Sequence, residues 1–124
     1  MGIMDHKTNV NELKEKIKKF CDDRDWDKYH NAKDLAIGII TEASELLEHF
    51  RFKSEKEVEE MFKNSPKRQE ICDEMADVFY FLLRLAQRYD IDLVTELDKK
   101  LKKNAEKYPV NKAKGKNMKY NEFD

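Results

Sequence analysis

Three glycines and two prolines are all that punctuate 124 residues, and that scarcity constrains the fold more than any motif does. A sheet-rich domain needs turn residues at short intervals, and no alternating apolar–polar run here survives more than a few positions. The apolar residues recur at helical spacing instead. Val10, Leu13, Ile17 and Phe20 mark a first amphipathic helix that begins near Asn9 and ends before the polar stretch CDDRDWDKYHN, 21–31. A second runs from about Ala32 to Phe50, with Leu35, Ile39, Ala43, Leu46 and Phe50 on one face. Ala36, Ile40 and Leu47 add another apolar face, which predicts a central, widely buried helix.

Ser54 and Glu57 form a capping-box pattern that opens a short third helix carrying Val58, Met61 and Phe62 and stopping near Asn64. Ser65-Pro66 reads as an N-cap followed by proline at the first helical position. The fourth helix carries the stripe Ile71, Met75, Val78, Leu82, Leu85 and Tyr89. Asp92 caps a fifth with Leu93, Leu97 and Leu101, and Pro109 must terminate it. The expectation is an all-α protein, an antiparallel helical bundle of four to five helices. Residues 1–8 read as a disordered N-terminus or cloning remnant, 9–109 as the helical domain and 110–124 as an irregular basic tail. A chain this short, with a second helix apolar on most sides, has too few helices to cover itself, so a homo-oligomer is expected.

The 25 basic and 26 acidic side chains nearly cancel, so no overall field draws the protein to nucleic acid or a membrane surface. Charge is concentrated only at 99–119, where nine lysines face one acid, Glu106. Cys21 and Cys72 lack CxxC spacing and read as reduced packing residues, which excludes a zinc site or a disulfide scaffold. No apolar run reaches the ~18 residues of a membrane span, and no signal-peptide core opens the chain. A myristoylation signal is absent because His6 stands where serine or threonine is required. The expected location is the cytoplasm.

Two acid pairs break this pattern. Glu42 and Glu45 lie within the second helix, and Glu74 and Asp77 within the fourth. Residues three apart project about 60° from each other around a helix axis, so each pair points one way. Exposed like charges at that spacing repel by a few tenths of a kcal/mol. In a half-buried groove the cost rises to several kcal/mol unless a proton or a cation relieves it. No basic residue lies within either pair, and oxygen-only ligation suits a hard divalent ion, Mg²⁺ with Mn²⁺ as the alternative. A ferritin-like di-iron bundle needs two Glu-x-x-His motifs; Glu45 and His49 are four apart, not three.

The two pairs, separated by 28 residues, resemble the acid motifs of the MazG-like all-α nucleoside triphosphate pyrophosphatases. The likeness extends through RDWDKYH (24–30), FRFKS (50–54), DEMADV (73–78), NAEKYPV (104–110) and the tail NKAKGKNMKY (111–120). In that order these segments resemble the dCTP pyrophosphatase branch over roughly residues 9–123. The chain departs from that branch at Ala32-Lys33-Asp34 and at Phe52, where tryptophan is common, and these departures bear on the preferred base.

The resemblance implies hydrolysis of a nucleoside triphosphate between its α and β phosphates. Glu42, Glu45, Glu74 and Asp77 would be both metal ligands and catalytic groups, with Glu48 or Asp73 as further general-base candidates. Lys100, Asn104 and Lys107 share one face of the fifth helix at i, i+4, i+7. With Tyr108, the resemblance gives that face to the triphosphate. It gives Trp26, His30 and Phe52 to the base, and Phe81, one turn beyond Asp77, falls on the same face as that acid. The family also implies a tetramer, with a dimer as the alternative. Competing functions are a dUTP or non-standard triphosphate pyrophosphatase and, from another class, a non-catalytic helical interaction module.

Overall fold

The computed structural model describes residues 2–63 and 65–123. Among them there is no strand. The helices are α1 (Val10–Asp22), α2 (Ala32–Glu48), α3 (Glu55–Met61), α4 (Pro66–Arg88), α5 (Leu93–Lys107) and α6 (Val110–Ala113), with 3-10 turns at Asp27–Tyr29 and Tyr120–Glu122. Among the described residues no helix is long and apolar enough to cross a membrane. Two compact units form, one ending at Asp90 and a second starting at Ile91.

Side-chain caps set the helix starts. Asn9 accepts from the Glu12 amide at 2.8 Å, and Asn31 accepts from the Asp34 amide at 2.8 Å. Asp34 in turn accepts from the Asn31 side chain at 2.8 Å, so the Ala-Lys-Asp departure builds the opening turn of α2. The Ser54–Glu57 capping box, the Ser65 cap with Pro66 at the first position, and the Asp92 cap all form as the sequence predicts. Each such cap contributes about 1 kcal/mol. α1 extends through Cys21 and Asp22, past its expected end, because the Asp22 and Asp23 carboxylates pair with Lys18 and Lys19 one turn back. Asn64, the expected stop of the third helix, lies outside the described residues; α3 closes at Met61 with Phe62 as its C-cap.

In the first unit α4 is the central helix, and both α1 and α2 pack against it. The start of α2 meets the end of α4, where the Ala32 amide donates to the Tyr89 hydroxyl at 3.0 Å. The end of α2 meets the beginning of α4 through His49, Glu70 and Glu74. These two helices are therefore antiparallel. Leu35 of α2 is buried with Ile71, Leu83 and Ala86 of α4 and Cys21 of α1. Fully burying a leucine or isoleucine contributes about 2 kcal/mol.

Two expectations about burial are corrected. α2 is covered on one face only, leaving Ile40 66% exposed, with Ile37 and Leu47 exposed beside it. On α4 the predicted stripe residues Met75, Leu82 and Tyr89 are exposed, and Leu83, Arg84 and Ala86 hold the interior. The register shifts because α4 is packed from two sides, by α1 and α2, rather than along a single seam. Cys21 is a free, buried packing residue, as expected; Cys72 is free but exposed, so it does not pack in this core.

In the second unit the chain beyond Pro109 is less irregular than its composition suggests. α6 and the 3-10 turn fold back so that Tyr108 meets Tyr120 and Phe123 edge-on, with ring centroids 6.0 and 5.7 Å apart.

Candidate active site

The packing of α2 on α4 brings Glu42 and Glu45 together with Glu74. Glu42, Glu45 and Glu74 each offer a carboxylate oxygen, and the three oxygens lie within 4.8 Å of one another. One oxygen of Glu42 and one of Glu74 are buried with no hydrogen-bond partner among the described residues. A buried carboxylate oxygen left in this state costs a few kcal/mol. Burial, then the neighbouring Glu45 carboxylate, then the charges of Asp77 and Glu74 push Glu42 up to about 7. The cluster is short of positive charge, offers only oxygen donors and has orphaned lone pairs. That donor set fits a hard divalent cation.

Asp77 stands apart from the three glutamates. It is exposed and lines a neighbouring pocket, although its charge still reaches Glu42. Glu48 is engaged by Arg51 at 3.2 Å and Asp73 by Gln69 at 2.8 Å, so both alternative acids already have partners. The sequence reading found no basic group within the pairs, and in sequence there is none. In space His49 supplies one: its side chain is 14% exposed, with Nε2 3.7 Å from Glu74 and Nδ1 4.0 Å from Glu70. Its position one turn beyond Glu45 was the available signal.

Beside the acids lies an open pocket of about 380 Å³, lined by Phe20, Trp26, His30, Glu42, Asp77, Tyr80 and Phe81. Its volume falls in the range of small-molecule sites, about 300–1,000 Å³. Phe20 meets both Trp26 and Tyr80 edge-on, with centroids 5.8 and 6.1 Å apart. Trp26 lies against His30 at 5.8 Å. The Tyr80 hydroxyl is 3.4 Å from the Cys21 sulfur, and burial raises its pKa. Glu42 thus belongs to the aromatic pocket as well as to the acid group, and Asp77 lies in the pocket wall.

Trp26, His30 and Phe81 line this pocket. Phe52 does not. It sits in a turn at φ 63°, its ring 90% exposed under the Arg51 guanidinium; this left-handed turn carries it outward. Phe20 and Tyr80 were missed as pocket residues because their helical spacing reads simply as core. Arg84 was also missed, though a lone arginine inside FLLRLA was a visible anomaly. It is wholly buried and bonded to Asp27, His30 and Gln87.

The residues expected at the triphosphate belong to the second unit. Lys100 and Lys107 are exposed and Asn104 is half-buried on α5. Lys107 lies 4.9 Å over the Tyr120 ring, and the Tyr108 amide donates to the Asn104 carbonyl at 2.8 Å.

Comparison with known proteins gives the family and the fold. Residues 37–123 match the MazG-like family model. The chain is 30% identical over 105 residues to dCTP pyrophosphatase 1 of Rattus norvegicus, covering 85% of this chain and 62% of that protein. The Homo sapiens protein of the same name matches at 30% over the same length. The chain therefore spans about three fifths of the length of these relatives. A crystal structure of a pyrophosphatase from Archaeoglobus fulgidus superposes with a TM-score of 0.76 at 36% identity, covering 87% of this chain and 99% of that one. The acid pairs, the helices that carry them and most of the chain's length are accounted for by one family: the protein belongs to the MazG-like family.

Proposed function

We propose that the protein hydrolyses nucleoside triphosphates, dCTP and its relatives foremost, between the α and β phosphates to give a monophosphate and pyrophosphate. One observation carries the reading: a base-sized aromatic pocket shares Glu42 with the carboxylate group and has Asp77 in its wall. A polyphosphatase has no need of such a pocket, and a purely structural bundle has no need of orphaned buried acids. The names of the similar proteins, dCTP pyrophosphatase 1 and a pyrophosphatase, support the same chemistry.

Glu42, Glu45 and Glu74 would hold Mg²⁺, with Asp77 completing the set from the pocket side. A bound divalent ion supplies charge neutralisation at the phosphates and acidifies water for in-line attack. The protein's own groups do the rest. Trp26 and Phe81 offer flat apolar faces to a base, and His30 offers a polar edge. Glu42, raised to about 7 while no ion is bound, would give up its proton as it takes up the ion, so ion binding would be coupled to pH. Lys100, Asn104, Lys107 and Tyr108 remain the proposed contacts to the β and γ phosphates. His49, at the end of α2, places its Nε2 3.7 Å from Glu74.

A homo-oligomer, a tetramer or else a dimer, belongs to this reading. Ile37, Ile40 and Leu47 on α2 and Met75, Phe79 and Leu82 on α4 are exposed large apolar side chains, and a second copy would cover them. Sedimentation at micromolar concentration should show no 14.9 kDa monomer. The function itself is tested by a hydrolysis screen over standard and modified triphosphates with product identification. Turnover of dUTP or a modified triphosphate in preference to dCTP would move the substrate within the class.

A further inference from the structure

We propose that Arg84 fixes which nitrogen of His30 faces the pocket, and so makes the pocket read a hydrogen-bond acceptor on its ligand. The proposal rests on the pocket being the nucleobase site. Arg84 sits in the interior of α4 with its side chain fully buried. A guanidinium is always charged and can only donate, so burying it requires acceptors on several sides. It finds three. Its Nη1 donates to the Gln87 carbonyl oxygen at 2.6 Å, its Nη2 to the Asp27 carboxylate, and its Nε to Nδ1 of His30 at 2.9 Å.

The last of these bonds settles a tautomer. Because arginine cannot accept, Nδ1 of His30 must be the bare nitrogen, and the imidazole proton must reside on Nε2. An imidazolium would set an N–H against an N–H. Arg88 braces the same corner: its Nη1 lies 3.5 Å from Asp27, and its Nε donates to the His30 carbonyl at 3.3 Å. Burial first, and then the charges of Arg84 and Arg88, hold the His30 imidazolium below its ordinary pKa. With Nδ1 engaged on Arg84, Nε2–H is the polar edge left for the pocket that His30 lines with Trp26 and Phe81.

A locked donor selects. It suits the O2 carbonyl that cytosine and uracil share, and it is left unpaired by an edge that presents only N–H groups. Arg84 is thus a positioning residue that acts on the base through His30, not a group that touches the reacting phosphates.

The test begins with the unaltered protein. Long-range ¹H–¹⁵N correlation at neutral pH should show His30 with a pyridine-type Nδ1 and a pyrrole-type Nε2. The reverse tautomer, or an imidazolium, would overturn the proposal whether or not any nucleotide is turned over. Arg84→Met should mix the tautomers and raise KM for dCTP about tenfold, the scale of one hydrogen bond, with a much smaller fall in kcat. Inhibition by inorganic triphosphate, which has no base, should keep its wild-type strength. Arg84→Lys, which retains one donor, should recover part of the loss and carries the comparison if the methionine variant does not fold. Equal weakening toward dCTP and inorganic triphosphate would mean that Arg84 only supports the fold, and would refute the positioning role. A wild-type protein with the expected tautomer but no affinity for any nucleotide would sink the nucleobase assignment, and with it the selection of a base.

Discussion

Gly38→Ala separates helix propensity from pocket geometry with a single methyl group. Gly38 lies in the middle of α2, where alanine normally stabilises a helix by about 1 kcal/mol. Here a Cβ would fall 2.7 Å from Cδ1 and Cε1 of Phe81 and 2.9 Å from its Cγ. Those separations are far inside van der Waals contact, and overpacking of this kind costs roughly 1–3 kcal/mol. The expected net is a loss of about 1 kcal/mol, from an overpacking cost near 2 set against the gain of 1. Phe81 lines the pocket beside Trp26 and His30, and displacing it into that open space should lower nucleotide affinity as well. Urea denaturation with and without dCTP measures both effects. Gly38→Ala/Phe81→Leu should recover the stability, since the two changes share one contact. A single variant more stable by about 1 kcal/mol, with full nucleotide affinity, would refute the close approach of α2 to Phe81.

The proposed Mg²⁺ site predicts stabilisation by the ion: at a hundredfold excess over Kd it should add about 2.7 kcal/mol. Glu45→Ala or Glu74→Ala should remove that thermal shift, and an unchanged shift in both would sink the metal assignment. In EDTA the sign of the pH dependence follows from Glu42, whose folded pKa is raised to about 7 from 4.5. The folded protein holds this proton while the unfolded chain releases it. The contribution is therefore full below pH ~4.5 and is lost as pH climbs through 7. A shift of this size has a ceiling of about 3.4 kcal/mol, reduced to about 1–2 by solvent screening at a part-exposed group. Glu42→Gln should flatten melting temperature against pH in that window; a slope that survives contradicts the assignment to Glu42. Trp26→Ala should weaken nucleotide binding about tenfold, with inorganic triphosphate spared, whereas Lys107→Ala should weaken both; competition binding reads the contrast.

The helices were legible because their signals are local. Asn9, the Ser54–Glu57 box, Ser65-Pro66 and Asp92 each mark a boundary through a side chain and the amides of the next turn. Glu42 and Glu45 stood out for the same reason, since i,i+3 spacing marks two carboxylates on one side of a helix; that Glu74 joins them while Asp77 lines the pocket depends on how α4 packs on α2. What depended on a partner helix was not legible. α4 is packed from two sides, so its interior rotates onto Leu83, Arg84 and Ala86, a choice its own periodicity does not encode. His49 comes within 3.7 Å of Glu74 only because the end of α2 packs on the beginning of α4. Phe20 and Tyr80 become pocket walls only because Trp26 and Phe81 stand beside them. Phe52 looked like a partner for the base because of the sequence around it, and its left-handed turn places the ring in solvent instead.

The most direct test of the central claim is identification of the products formed from dCTP by the wild-type protein with Mg²⁺. Chromatography should show dCMP and pyrophosphate in equal amounts, and neither should form in EDTA or with Glu45→Ala. Formation of dCDP with inorganic phosphate, or an absence of turnover on every triphosphate tried, would contradict α–β cleavage at the Glu42–Glu45–Glu74 site.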